Sequence, residues 1–473
     1  MHVTDFLMFP EDLFQSQSTQ PAVITDLGES FTYADLSGFA AGLYSRIDHR
    51  CLVFCLCRNS IESLTGYVSF LGNGIVPLML DASLEKSMLE NLVNIYKPEY
   101  IWLPRDKQSD FENEEEIFTF RYYALIRLNH KGTTLLNDDL ALLLTTSGST
   151  GSPKLVRLSY DNILSNANSI AQYLEITDQE RPVTSLPMHY SFGLSVINSH
   201  LLKRATLLLT NRSLMEKEFW SFLKSGKATS MAGVPYTFEI LKKLRFFRMD
   251  LPSLRTLTQA GGKLNNELNR EFSEFCLQSG KKFFVMYGQT EATARMSYLP
   301  PQYSISKLGS MGIAIPGGEF SLIDEAGNPV LEDDTIGELV FKGRNVSLGY
   351  AESADDLNKG DENKGILVTG DLAKRDCDGF YYIVGRKKRF IKIYGNRVNL
   401  DETERMLKNI LTDCACGGTD DHMLIYITDF SRKAEVINYI FKMTGIHPHA
   451  FSVKHVDRIP KNSSGKTIYS ELN

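Results

Sequence analysis

Leu140-Ala141-Leu142-Leu143-Leu144 runs directly into Thr145-Thr146-Ser147-Gly148-Ser149-Thr150-Gly151-Ser152-Pro153-Lys154. The apolar run, bounded by small residues, reads as a buried strand. Eight of the ten residues after it are Ser, Thr or Gly, and one Lys closes the segment. Small residues let the backbone approach an anion closely, and successive N–H groups can line a concave nest for it. The hydroxyls and the lysine ammonium add further donors, so a polyphosphate is the natural guest. The segment is not a Walker A loop, because Gly-x4-Gly-Lys-Ser/Thr is not satisfied. The alternative reading is a flexible Ser/Gly linker, against which stand the preceding buried strand and the Pro-Lys ending.

Outward from this strand, short apolar runs alternate with longer amphipathic ones. Leu52–Leu56 reads as a strand, Ile61–Gly72 as a helix, and Ile75–Leu80 as a strand weakened by Pro77. Ser83–Tyr96 reads as a helix, with Leu84, Met88, Leu89, Leu92 and Val93 at helix spacing, and Tyr100–Leu103 as a strand again. This βαβ rhythm implies a parallel or mixed sheet, and it recurs at Thr206–Leu209 and Phe283–Val285. Later, the strands Phe320–Ile323, Glu338–Lys342 and Tyr381–Val384 are separated by Gly, Asn and Asp turns, an antiparallel, hairpin-rich pattern. From Gly385 onward the helix Asp401–Leu411, the strand Met423–Ile427 and the helix Lys433–Thr444 return to mixed α+β. The sequence thus predicts an α/β fold. A large N-terminal domain over residues 1–384 has several subdomains, with parallel or mixed sheets and a β-rich part. A small α+β C-terminal domain follows.

The 473 residues are 43% apolar and 23% charged, an ordinary globular balance that excludes a disordered chain, a collagen and a coiled coil. The net charge, 51 − 57 = −6, lacks the basic excess of a nucleic-acid binder. The acidic stretch Glu114–Glu116 reads as a solvated loop. No apolar run approaches the ~20 residues that cross a bilayer. Near the N-terminus, Asp5, Glu11 and Asp12 stand where a signal peptide has basic residues, so a cytoplasmic protein without a membrane partner is expected. An odd count of seven cysteines argues against a disulfide framework. Cys55 and Cys57 read as core thiols. Cys414 and Cys416, with His422 downstream, miss the usual zinc spacings.

Three further motifs carry chemistry. Tyr287-Gly288-Gln289-Thr290-Glu291 follows the strand Phe283–Val285, and strand ends of open α/β sheets are where ligands bind. A ring there can stack on a base, a Thr can bind a phosphate oxygen and a Glu can hold Mg²⁺. The plainer alternative is a strand-to-helix turn capped by Thr290. Thr369-Gly370-Asp371 and Gly385-Arg386-Lys387-Lys388 could together bind ribose hydroxyls, though each alone passes as a turn or a basic surface patch. Ser464-Gly465-Lys466-Thr467 mimics a Walker ending, but Pro460 stands at the first Gly position. Taken alone, Lys466 reads as a solvated residue.

The set and its order resemble the adenylate-forming superfamily of acyl-CoA synthetases, nonribosomal adenylation domains and firefly luciferase. The resemblance runs from about Ile24 to the C-terminus. It is carried by Tyr33–Leu36, Thr146–Lys154, Pro187–Gly193, Ala260–Leu264, Tyr287–Glu291, Gly337–Leu339 through Gly349-Tyr350, Thr369–Asp371, Gly385-Arg386, Gly395–Asn399 with Glu402 and Glu404, and Pro460–Lys466.

The resemblance implies an ATP-dependent acid–thiol ligase. A carboxylate attacks the α-phosphorus of MgATP, pyrophosphate leaves, and the acyl group of the acyl-AMP then passes to a thiol. It implies that Thr146, Ser147, Gly148, Ser149, Thr150, Gly151 and Lys154 cradle the β- and γ-phosphates. Thr290 contacts the α-phosphate and Glu291 holds Mg²⁺. Tyr287, with Gly288 and Gln289 beside it, and Gly261, Gly262 and Lys263 enclose adenine, while Asp371 and Arg386 bind ribose. Lys466 becomes the catalytic cation bridging carboxylate and α-phosphate. Residues 385–389 form a hinge centred on Lys388, about which a mobile cap, residues 390–473, rotates between the half-reactions. His189, Phe192, Gly193 and Val234 line the acyl pocket, with Met231 a further wall candidate. His189 could equally be a surface turn residue, and the apolar members plain core. Adenylation domains for α-amino acids carry an Asp just after this Phe, but here Gly193 follows, which disfavours an unpaired ammonium and favours a fatty, aromatic or hydroxy acid. The part after Gly385 is shorter than is usual in the family, and the final motif carries Asn462-Ser463-Ser464 where the family varies. The thiol is therefore that of CoA or of the phosphopantetheine arm of an acyl carrier protein acting in trans. A non-catalytic nucleotide-binding scaffold is the remaining alternative.

Overall fold

The computed structural model describes residues 19–472 apart from 48, 131–133, 146–153, 394–395, 445 and 463–465. Every residue from Leu140 to Leu144 is buried, as expected of a strand apolar on both faces. The strand Leu140–Thr145 lies inside an eight-stranded sheet. It pairs in parallel with Val76–Asp81, which pairs in parallel with Leu52–Cys57, and that strand with Tyr100–Pro104. Pro77 sits opposite Val53 inside this central strand, so burial of the whole apolar run overrides the lost donor. The helix Ile61–Gly72 is capped by Ser60, whose Oγ accepts from the Ser63 N–H, and all of its residues are buried. Gly66 is required there, because a Cβ would stand 2.6 Å from the Trp102 ring. The next helix begins at Lys86, not Ser83, because Asp81 accepts from the Ser83 N–H and hydroxyl and holds a turn. The acidic stretch differs from its loop expectation. It opens the edge strand Glu115–Phe120, where Glu115 pairs with Arg127 and Glu116 with Arg105.

A nine-stranded sheet contains Lys282–Tyr287, Thr256–Gln259, Ser230–Gly233, Pro182–Val183, Leu207–Leu209 and Pro21–Thr25 as successive parallel neighbours. The chain divides into two compact units, Met1–Glu319 with Lys342–Leu367, and Phe320–Phe341 with Val368–Asn473. Both large sheets belong to the first unit. The second holds most of a four-stranded sheet, in which Ile366–Arg375 and Tyr381–Arg386 form an antiparallel pair. It also holds a three-stranded sheet of Cys414–Thr419, His422–Ile427 and Phe451–His455, packed with the helices Leu400–Leu407 and Lys433–Thr444. The first of these helices stops four residues before the expected Leu411. Ile410 and Leu411 bond back to the Leu407 carbonyl in a closing turn that still buries Leu411. Cys55, Cys57, Cys414 and Cys416 are buried free thiols, and burial raises the pKa of each. No helix among the described residues is long and apolar enough to cross a membrane.

Candidate active site at the strand ends

Thr146, Ser147, Gly148, Ser149, Thr150 and Gly151 lie outside the described residues, and Lys154 opens the return to the strand Leu155–Ser159. The Lys154 ammonium stands 3.7 Å above the Tyr350 ring and 3.5 Å from Glu352 Oε1. The Tyr350 hydroxyl donates to Glu291 Oε1 at 2.8 Å. Burial, and then the Glu291 charge, raise the Tyr350 pKa well above its ordinary value. Tyr350 thus connects the lysine of the first motif to the carboxylate of the second. Thr290 Oγ1 lies 3.0 Å from the Ser191 hydroxyl, at the start of the helix Ser191–Leu202.

The turn carrying Thr290 and Glu291 is sharp. The strand Lys282–Tyr287 ends, a 3₁₀ turn covers Thr290–Ala292, and Thr293 and Ala294 take positive φ of 56° and 93°. The chain doubles back so tightly that a Cβ on Gly288 would meet the Ala294 carbonyl oxygen at 1.8 Å. Gln289 Nε2 donates to the Tyr287 hydroxyl at 3.1 Å.

The expected acyl wall and adenine loop meet. Val234 is buried directly after the strand Ser230–Gly233. A Cβ on Gly261 would stand 2.8 Å from the Tyr190 hydroxyl and 3.0 Å from Val234 Cγ1. Gly261 has φ of +81°, and Gly262 faces the Pro235 ring. Lys263 is exposed. Phe192 is buried, and Gly193 is packed so closely that a Cβ would lie 2.2 Å from the Pro187 carbonyl oxygen. His189 is not a surface turn residue. Only 14% of its side chain is exposed, its Nε2 is 3.6 Å from Asp81 Oδ2, and burial lowers its pKa against the pull of Asp81.

In the second unit Asp371 and Arg386 face each other across the strand pair, with Nε to Oδ1 at 3.5 Å. Asp371 is buried and Arg386 is 62% exposed in its side chain. The basic run around them is internally neutralised. Lys387 bonds Glu338 at 2.7 Å, and Arg389 bonds Asp401 at 2.8 Å and Glu404 at 2.5 Å, with the Tyr469 ring 3.9 Å beneath its guanidinium. The Lys388 side chain lies outside the description. Lys466 is held through its backbone, its N–H donating to Asn462 Oδ1 and its carbonyl accepting from the Asn462 N–H, both at 2.9 Å.

In the first unit, the Thr290 and Ser191 hydroxyls and the Glu291 carboxylate form a hard-oxygen set, and Lys154 supplies a cation. Such donors suit a magnesium–phosphate ligand, and Gly261 lets its loop pack closely on Tyr190 and Val234. Asp81, Ser191 and Tyr350 escaped the motif reading as site residues. Ser191 and Tyr350 lie within the motif segments Pro187–Gly193 and Gly349-Tyr350, and Asp81 ends the strand Val76–Asp81, positions that could have pointed to them.

The AMP-binding enzyme family model matches residues 11–351. The 2-succinylbenzoate–CoA ligase of Bacillus velezensis is 28% identical over 346 residues, spanning 71% of this chain and 69% of that protein. The feruloyl-CoA synthase of an Amycolatopsis species is 27% identical over 350 residues, 71% of this chain and 70% of that protein. The fold matches the o-succinylbenzoate CoA synthetase of Bacillus subtilis in complex with its acyl-adenylate, with a TM-score of 0.80, 23% identity, and 98% and 96% of the two chains covered. The chain belongs to the family of AMP-binding enzymes. Within it, the protein is an acyl-CoA synthetase-like, AMP-forming acid–thiol ligase.

Proposed function

We propose that this protein activates a small aromatic or aliphatic carboxylic acid without an α-ammonium group, and passes its acyl group to coenzyme A. The contact that carries this reading is the Lys154–Tyr350–Glu291 chain, which gathers a phosphate-type lysine and a metal-type carboxylate beside Thr290. A carboxylate oxygen attacks the α-phosphorus, the bond to pyrophosphate breaks, and acyl-AMP forms. The thiol sulfur then attacks the acyl carbon, AMP departs and the thiol proton is lost.

Positioning and charge neutralisation dominate such a transfer. Thr146–Gly151 and Lys154 take the β- and γ-phosphates, and Thr290 the α-phosphate. Tyr287, Gly288 and Gln289 with Gly261–Lys263 take adenine, Asp371 and Arg386 ribose, and Lys466 the reacting carboxylate. Bound at Glu291, Mg²⁺ supplies further neutralisation of the triphosphate. The chain divides functionally at residues 385–389, with Lys388 the pivot of the cap. The acid sits against His189, Phe192, Gly193 and Val234. Phe192 carries the Arg295 guanidinium over its ring at 4.8 Å, a cation that opposes a substrate ammonium. CoA is favoured over a carrier-protein arm because the relatives named above are CoA ligases.

Carboxylate-dependent ATP–pyrophosphate exchange across an acid panel tests the reading, followed by CoA and a phosphopantetheinyl carrier as acceptors. Exchange with carboxylic acids but not with α-amino acids is expected. Retained ATP binding without exchange for any acid would overturn it.

A further inference from the structure

Three donors of different chemistry meet at the edge of the eight-stranded sheet away from the phosphate segment. The strands Leu52–Cys57 and Tyr100–Pro104 run parallel, with Val53 opposite Tyr100, so the residues just before each strand are neighbours. Cys51 and Glu99 hold these two places, and the Glu99 N–H donates to the Leu52 carbonyl at 3.1 Å. His49 lies two residues before Cys51. One ring nitrogen of His49, the Cys51 sulfur and one Glu99 carboxylate oxygen all lie within 4.8 Å of one another. The phosphate segment instead follows the other end of Leu140–Thr145, which parallel pairing through Val76–Asp81 joins to Leu52–Cys57.

The three donors differ in burial. Cys51 is a buried free thiol, and the Glu99 side chain is 5% exposed, whereas that of His49 is 41% exposed and marks the approach from water. Glu99 Oε2 lies 2.8 Å from His49 Nε2, while Oε1 takes no hydrogen bond among the described residues. A carboxylate buried this deeply calls for a cation, and an oxygen left without a donor is costly. Arg127 does not serve, because it pairs with Glu115 at 2.7 Å and lies over the Tyr100 ring at 5.8 Å. Imidazole nitrogen, thiolate and carboxylate are together a zinc donor set, and they leave a fourth tetrahedral position for water. Magnesium and calcium favour oxygen donors alone.

We propose that His49, Cys51 and Glu99 bind a zinc ion, separately from the magnesium–phosphate site. The Cys51 thiol gives its proton to solvent as the sulfur coordinates, and Glu99 gains the cation that its burial calls for. Tetrahedral zinc holds its donors roughly 3–4 Å apart, so side-chain adjustments of about 1 Å close this set on the ion. The ion ties the loop before Leu52–Cys57 to the start of Tyr100–Pro104 and so stabilises the sheet edge.

Cobalt(II) and zinc titrations of the reduced whole chain test this. Cobalt should give a thiolate-to-metal charge-transfer band that saturates at one equivalent; zinc should bleach it and excess magnesium should not. Cys51→Ala should abolish the band. Glu99→Gln and His49→Gln should each weaken cobalt binding by about 100-fold or more, since losing even a ligand's hydrogen-bond partner costs about 10–100-fold. Zinc should also raise the melting temperature of the native chain, but not that of Cys51→Ala. Cys377→Ser, at the exposed cysteine, should keep the band. Absence of the band, its survival in Cys51→Ala or its loss in Cys377→Ser would overturn the proposal. If Cys51→Ala does not fold, His49→Gln, altered at an exposed ring, decides, and unchanged cobalt affinity there overturns the proposal as well. None of these readouts depends on acid activation.

Discussion

Tyr350 holds two opposite charges, Lys154 over its ring and Glu291 at its hydroxyl. With Glu291 Oε1 taken, cation binding falls to the second oxygen. Tyr350→Phe keeps the ring and loses a hydrogen bond to a charged group, worth about 1.5–3 kcal/mol. Exchange at limiting magnesium should fall by about 10-fold or more, and the magnesium concentration for half-maximal exchange should rise; a magnesium titration of both proteins checks this. Lys466→Ala should lower exchange by about 10²–10³, the usual loss for one preorganised transition-state charge. Conversion of supplied acyl-AMP to the thioester should be largely retained in that variant. Equal loss of both steps would remove the assigned role. Lys466 was legible only through its motif, since a lone lysine in a Gly-Ser context carries no chemical signal. Tyr350 and Arg295 were not read as site residues because their partners are distant in sequence, and only folding puts a ring or a carboxylate beside them.

The decisive element is the return of the chain after the strand Lys282–Tyr287. Gly288→Ala would force a methyl onto the Ala294 carbonyl, with no flexible side chain to yield. A loss of about 3 kcal/mol or more in stability is expected, with exchange abolished, because Thr290 and Glu291 ride on that turn. Gly360→Ala has open space and, like Gly288, no positive φ, and serves as the comparison in a melting experiment. At this scale the sequence was largely readable. Ile61–Gly72 and Lys433–Thr444 fall where their periodicity put them, because burial patterns decide element type. The misses have local causes. Pro77 survives in a buried strand, an Asp81 turn delays a helix start, and Glu115 and Glu116 become edge-strand residues because arginines on neighbouring segments neutralise them.

At the scale of the whole chain, composition revealed a globular protein but not how its charges are spent. The basic run after Gly385 looked like a surface patch, yet Arg386, Lys387 and Arg389 all have acidic partners inside the second unit. The first unit carries a different electrostatic burden, and its stability should depend on pH for that reason. Burial holds the His200 imidazole down to about 4, with the Arg295 charge acting in the same direction, and His189 is lowered likewise. The folded state keeps these rings neutral, whereas the unfolded chain takes up protons near the ordinary histidine value of about 6.5. The unfolded state therefore binds more protons below that pH, and stability falls as pH falls. His200 alone should cost about 2–3 kcal/mol between pH 6.5 and 4, and nothing above pH 7. Both tryptophans, Trp102 and Trp220, belong to the first unit, so their fluorescence follows its unfolding separately from the second. Urea midpoints read this way at pH 7 and pH 5 should differ in the native protein, and the difference should shrink in His200→Leu. That variant also changes packing, so the dependence on pH, and not the absolute midpoint, is the informative quantity. An unchanged slope in His200→Leu would mean that the imidazole is already protonated within the fold, despite its burial and the nearby Arg295 charge.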